Sequence, residues 1–233
     1  MGCQCIGPSK DVYSIENILG EKIKEPKDII SSYPINEYVK RVFNLINKVR
    51  LNPSEFVSII ETASEKYIKD KNGKKIYDDS KIKVSLNEGK TMFQDCANYL
   101  KTLQPMEELI FCDDIVLQCP KDEQNIKDIN YFREKLLEKK DKYGIEAYFK
   151  DSIRIPEISV LLMLVDDSAR NPRKKREALL NPKFKFIGIS STDIDDDKQE
   201  NNKNNELING NKNLENNKNE IKHKPFCAYY TLK

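Results

Sequence analysis

Hydrophobic positions are sparse over the first 33 residues, where isolated isoleucines sit among polar groups and Pro8 and Pro26, with Pro34 just beyond, interrupt any long helix. Residues 1–35 therefore read as an extended arm, with Ile29 and Ile30 as its contacts to a domain spanning 36–233. From Asn36 the pattern becomes periodic. Tyr38, Val39, Val42, Leu45, Ile46 and Val49 recur at helical spacing, and Asn36 stands where a cap belongs. Asn52-Pro53 ends that helix, and a second follows with Phe56, Ile60, Ala63 and Tyr67 on one face. Lys71-Asn72-Gly73-Lys74 reads as a turn.

Ser85-Leu86-Asn87-Glu88 has the form of a capping box, and Gly89, Phe93, Cys96, Ala97, Leu100 and Leu103 continue as one apolar stripe ended by Gln104-Pro105. Residues 113–142 are highly charged, with Ile115, Val116, Ile126, Ile129, Phe132 and Leu136 spaced as in exposed amphipathic helices. Val160–Val165 is apolar all round and follows Pro156 and Glu157, which suit a first helical turn, so it reads as a buried helix. The stretches 183–189 and 226–232 favour strands. Between them, 193–224 is almost wholly Asp, Asn, Lys and Glu and reads as a disordered insertion in a hairpin loop.

Charge narrows the function classes. The 40 basic and 38 acidic side chains nearly cancel to a formal +2, which argues against a nucleic-acid partner. The single histidine, His223, lies in the insertion, so neither a histidine-based triad nor a multi-histidine zinc site is expected. Ser168, Ser190, Ser191, Thr192, Cys112 and Cys119 have no base to activate them, and no catalytic residue is assigned.

The start of the chain lacks the apolar run of a secretory signal, and no stretch approaches the ~18–20 apolar residues that span a bilayer. A cytoplasmic, non-secreted protein is expected. Its six cysteines then remain thiols, with Cys96, Cys112 and Cys119 as core groups. The opening Met1-Gly2-Cys3-Gln4-Cys5 offers Gly2 for myristoylation and Cys3 and Cys5 for palmitoylation, two signals that together anchor stably. Against this, Ile6 stands where Ser or Thr is usual. Acylated anchor and plain polar tail stand side by side as readings.

Three strings resemble the CAP superfamily (cysteine-rich secretory proteins, antigen 5, pathogenesis-related 1), in particular its SCP-like branch. Asn47-Lys48-Val49-Arg50-Leu51-Asn52-Pro53 followed by Phe56 is similar to that branch's opening helix. Asn87-Glu88-Gly89-Lys90, with Tyr99-Leu100 and Gln104-Pro105 downstream, resembles its second long helix. Asp166-Asp167 and then Arg173–Phe184 resemble its Asp-Asp…Arg-Gly-His-Arg signature. The implied fold is α+β: a three-layer α-β-α sandwich around an antiparallel sheet.

The resemblance also implies a cleft of two histidines and two acids, and this chain departs from it. Glu123 of Lys121-Asp122-Glu123 stands where one histidine belongs, and Lys175, followed by Arg176, stands for the other. Glu146 is the matched surviving acid, with Glu157 as a competing match, and Ile46 takes a position that is histidine in some secreted members. A protonated lysine cannot ligate a metal, so no metal and no cofactor are expected. A Glu123–Lys175 ion pair is expected in their place. The basic run Arg170, Arg173, Lys174, Lys175 and Arg176 is expected to face acids of 134–151 or, over Arg170–Lys174, an acidic partner. Asp113-Asp114 reads as a helix start, and Asp166-Asp167 as the end of the buried helix.

The reading that follows is a non-catalytic CAP-like binding or scaffold module with protein partners, in a cytoskeletal or ciliary assembly, tethered to membrane through its N-terminus. The alternatives are a metal-assisted hydrolase using Glu123 and Glu146, and a lipid-binding carrier.

Overall fold

The computed structural model describes residues 27–32, 35–79, 81–167, 173–192 and 225–233. Gly2, Cys3, Cys5, Ser168, Arg170 and the 193–224 insertion with His223 lie outside them. The described chain mixes helices with two sheets, and its contacts group into two compact units. In their described parts, one unit comprises Asn44–Leu109 and Val160–Lys183 with residues 27–28. The other comprises Ile29–Phe43, Ile110–Ser159 and Phe184–Lys233.

Helix α1 (Glu37–Leu51) starts where expected: Asn36 accepts a hydrogen bond from the Val39 N–H at 3.0 Å. Its apolar stripe is buried throughout, with Val42 and Val49 fully so. Pro53 cannot continue the helix, and a 3-10 turn, Pro53–Phe56, leads into α2 (Val57–Ser64). Tyr67 is not on that helix. It opens strand β1 (Tyr67–Lys69), which pairs antiparallel with β2 (Lys75–Asp79), itself paired with β3 (Ile82–Ser85). The expected turn joins β1 to β2, where the Asp70 carboxylate accepts the N–H groups of Asn72 and Lys74, each at 2.8 Å.

Helix α3 (Lys90–Thr102) buries Met92, Phe93, Cys96, Ala97 and Leu100. The expected capping box does not form: the residue before the helix is Gly89, and no side chain of the 85–88 string caps it. Gly89 has φ +78°, and a Cβ there would lie 2.6 Å from the Tyr67 ring, so both backbone and packing require glycine.

The second unit is built on a four-stranded sheet of order β4-β6-β7-β5, from β4 (Ile110–Phe111), β5 (Ala147–Asp151), β6 (Phe186–Ser191) and β7 (Ala228–Leu232). The predicted hairpin is present, with Ile187 opposite Leu232 and Ser191 opposite Ala228. The sheet is not wholly antiparallel, because the two-residue β4 runs parallel to β6. Every residue of β7 is buried, as suits a central strand covered on both faces. At Gly188, opposite Thr231, a Cβ would come 2.8 Å from the Ile115 backbone, so the 3-10 turn Asp113–Ile115 lies directly on the strand.

The charged 113–142 stretch divides into that turn, α4 (Glu123–Lys127) and α5 (Ile129–Tyr143), capped by Asp122 and Asp128. Ile115, Ile126, Phe132 and Leu136 are buried as their spacing requires, whereas Ile129 is 47% exposed because it sits in the first turn beside its cap. Val160–Val165 belongs to a helix, α6 (Pro156–Val165), as expected. The short α7 (Lys174–Leu179) completes the helices of the described residues. Before α1, Ile30 is 90% exposed and so is not the packing contact expected of the arm. Residues 31–32 are held by polar bonds instead: the Asp113 carboxylate accepts from the Ser31 hydroxyl at 2.5 Å and from the Ser32 N–H and hydroxyl at 2.8 and 2.6 Å.

Candidate functional site

Each residue matched to the family cleft has a definite setting. Glu123 lies in the first turn of α4, exposed, and pairs with Lys127 one helical turn on. Glu146 is exposed at the entry to β5, where its N–H donates to the Leu232 carbonyl at 3.0 Å. The competing acid Glu157 pairs with Arg41. Lys175 belongs to the other unit, and its N–H donates to the Asp166 carboxylate at 2.7 Å. Ile46 is core, 2% exposed.

Arg176 is 2% exposed, and its guanidinium bonds to the Asp95 carboxylate while lying 5.1 Å from the centre of the Tyr99 ring. Arg173 Nε donates to the same Asp95 oxygen at 2.9 Å. Both arginines therefore serve an acid of α3: Arg176 does not face the acids of 134–151 as expected, and Arg173, left open between those acids and an acidic partner, does not face them either. Asp95 is one helical turn before Tyr99 on the same face. Burial opposes ionisation of Asp95, but the two guanidinium bonds outweigh it and hold its carboxyl below the ordinary carboxylate range. Burial pushes the neighbouring Cys96 thiol up to about 11, against the pull of Arg176.

The three strings that carry the family resemblance meet inside this unit. Arg50, fully buried, donates from Nε to the Glu107 carbonyl at 2.8 Å and from Nη1 to the carbonyls of Leu179 and Asn181 at 2.7 and 3.1 Å. Burial lowers its pKa to about 10. Asn47, one turn earlier, exchanges two hydrogen bonds with the Leu109 backbone, at 3.0 and 2.8 Å. Asp167 accepts the N–H groups of Asn87, Glu88 and Gly89, each at 2.9 Å. Asp166, at φ +46°, ends α6 as expected. Sequence reasoning gave no role to Asn47 and Arg50. The signal was present, two polar groups on the apolar face of α1, but only tertiary structure supplied the carbonyls they serve.

A second buried polar group lies in the other unit. Ser159 donates its hydroxyl to Asp151 Oδ2 at 2.5 Å, and the Tyr38 hydroxyl donates to Ser159 Oγ at 3.0 Å and lies 3.1 Å from that of Tyr230. Burial foremost, then the Asp151 charge, raise the Tyr38 pKa. With both tyrosines held neutral by burial and Asp151 accepting the Ser159 hydroxyl, the arrangement is structural.

The concave feature described on this unit is a depression of about 250 Å³ between α5 and the segment that follows the 3-10 turn. Tyr131, Lys135, Glu138 and Lys139 line one side, at helical positions i, i+4, i+7 and i+8, and Val116 and Leu117 form an apolar part of the wall. Lys139 Nζ donates to the carbonyls of Asp114 and Val116, both at 3.0 Å, and so fixes that wall to the helix. Lys135 binds both oxygens of Glu138, at 2.8 and 3.0 Å, which raises its pKa, and lies 6.0 Å from the Tyr131 ring centre. Both charges of the Lys135–Glu138 pair reach solvent, with side-chain exposures of 38% and 59%. This combination suits recognition of a polar surface carrying an apolar side chain.

Among the described residues, no group of three or more His, Cys, Asp or Glu side chains is placed to hold a metal ion, and no helix is long and apolar enough to cross a membrane. No protein-family model matches the chain, and neither a curated protein nor a solved structure matches it.

Proposed function

We propose that the chain is a non-catalytic binding module of CAP-like type, a divergent three-layer α-β-α sandwich that engages protein partners in a cytoskeletal or ciliary assembly. In this reading it is an intracellular protein, held at a membrane through acylation of Gly2 with Cys3 or Cys5. The family part of the reading is supported by the convergence of the three resembling strings through Arg50, Asp167 and the carbonyls of Leu179 and Asn181.

The observation that carries the binding function is the depression beside α5, which places the solvent-facing Lys135 and Glu138 next to Tyr131 and an apolar wall. The non-catalytic part is supported by Arg176, which in the segment resembling the cleft signature is buried against Asp95 and Tyr99. A partner that places an apolar side chain against Val116 and complementary charges on Lys135 and Glu138 fits this surface.

The test is proximity labelling with the full chain in the cells it comes from, alongside a Tyr131→Ala, Lys135→Glu double variant of equal stability. A defined set of protein neighbours that the variant loses is the expected result; identical sets overturn the depression as the interface. Hydrolytic activity of the purified chain that requires added zinc or calcium and falls in Glu146→Gln would replace the binding module with an enzyme.

A further inference from the structure

Cys119 and Cys227 are 108 residues apart in sequence and adjacent in the second unit. Cys119 lies in the segment between the 3-10 turn and α4 and is partly exposed; Cys227 is fully buried just before β7. Cys119 Sγ is 3.5 Å from the Cys227 carbonyl oxygen and 3.6 Å from that of Ser190, and it accepts a bond from the Ser190 hydroxyl at 3.4 Å. Both side chains belong to one apolar cluster, with Cys227 in its buried part and Cys119 packed against it. A Cys119 sulfur in contact with the Cys227 main chain, in a cluster that also holds the Cys227 side chain, makes the two thiols neighbours.

We propose that Cys119 and Cys227 form a reversible disulfide site, closed by exchange with a low-molecular-weight disulfide such as oxidised glutathione. Cys119 is the less buried residue of the two, so exchange begins there. Its thiolate attacks one sulfur of oxidised glutathione, the S–S bond breaks, and one glutathione leaves as a thiol with the proton Cys119 gave up. The Cys227 thiolate then attacks the Cys119 sulfur and expels the second glutathione, which takes the remaining proton. Two protein thiols are oxidised and one glutathione disulfide is reduced to two thiols.

The surroundings divide the roles. Cys227, fully buried, meets the mixed disulfide only from within the fold and so takes the resolving step. The neighbouring Cys119 thiol lowers its pKa, burial opposes that shift and the nearby Lys150 ammonium adds to it. Burial foremost, and then the neighbouring thiol, push Cys119 up, which makes the first exchange the slow step. The bond would tie β7 to the segment whose Leu117 and Gln118 line the depression. The site stands on its own geometry and not on the binding function.

The test uses the full chain, reduced, desalted and equilibrated across a series of oxidised-to-reduced glutathione ratios, then alkylated under denaturing conditions and digested. A cross-linked peptide joining Cys119 to Cys227 is expected, lost on reduction with dithiothreitol, formed equally in Cys112→Ser, and absent in Cys227→Ser. That last variant should instead retain glutathione on Cys119. Full alkylation of both cysteines at the most oxidising ratio overturns the proposal. So does pairing of Cys119 with Cys112, whose side chain packs on the same apolar cluster, or a glutathione adduct on Cys119 that persists in the unsubstituted chain.

Discussion

Asp167 holds Gly89: the carboxylate at the end of α6 accepts the Gly89 N–H at 2.9 Å, together with those of Asn87 and Glu88. The three donors immediately precede α3, where no side chain of the local sequence caps the helix. A residue 78 positions away therefore does what a local cap does elsewhere.

Asp167→Ala should destabilise the chain by about 1–2 kcal/mol, the usual range for a lost cap, with Asp167→Asn intermediate because one acceptor remains. Urea unfolding measures the loss, and amide exchange at Asn87, Glu88 and Gly89 localises it. Unchanged exchange at those three amides would contradict the assigned role.

Arg50 is a structural group on the same scale. Replacing it with Met leaves the carbonyls of Glu107, Leu179 and Asn181 without its donors and should cost about 3 kcal/mol. Arg50→Lys should recover part of that, since an ammonium reaches fewer of the three at once. Equal stability of the Met and Lys variants would show that the fork geometry is unimportant.

Acid should weaken the Asp95 clamp. Its carboxyl is lower in the folded chain than in the unfolded one, so its contribution is fully present above the ordinary carboxylate pKa of about 4 and is lost as pH falls through the lower, folded value. Asp95→Asn should flatten that part of the stability–pH curve, while Arg173→Lys should leave most of it in place. Urea midpoints compared from neutral pH into that acid range would expose any failure: parallel curves for Asp95→Asn and the unsubstituted chain.

Ser159→Ala removes the donor to Asp151 and the acceptor for Tyr38 in one step. The expected loss is about 1–2 kcal/mol, since the surrounding groups are buried. Ser159→Thr should be no easier to accommodate, because Ser159 is fully buried and an added methyl has to displace its neighbours. A neutral Ser159→Ala in thermal or urea unfolding would remove the network from the list of stabilising contacts.

The sequence was most legible where a local rule acts alone. The stripe of α1 and its Asn36 cap, the break at Pro53, the turn at 71–74, the buried α6 and the pairing of 186–191 with 228–232 each follow from spacing or from one backbone restriction. Strands β1–β5 were not legible, because Tyr67 continues the helical spacing of α2, β4 has only two residues, and charges interrupt the largely half-buried remainder. The capping box failed for a related reason. Its residues match the motif, but Gly89 turns the chain at a positive φ and the amides find Asp167 instead.

The candidate site divides the same way. Hydrophobic periodicity by itself determined which faces of α1 and α3 are buried, and an unbroken apolar run that α6 is, because apolar burial depends on spacing and not on a specific partner. The near-balance of 40 basic and 38 acidic side chains argued by itself against a nucleic-acid partner. Only tertiary structure decided the partners: Asp95 for Arg173 and Arg176, three carbonyls for Arg50, Asp167 for Gly89, and the Cys227 carbonyl for Cys119. A hydrogen bond or ion pair fixes two particular atoms within about 3 Å, and no periodicity along a chain encodes which distant atoms those will be.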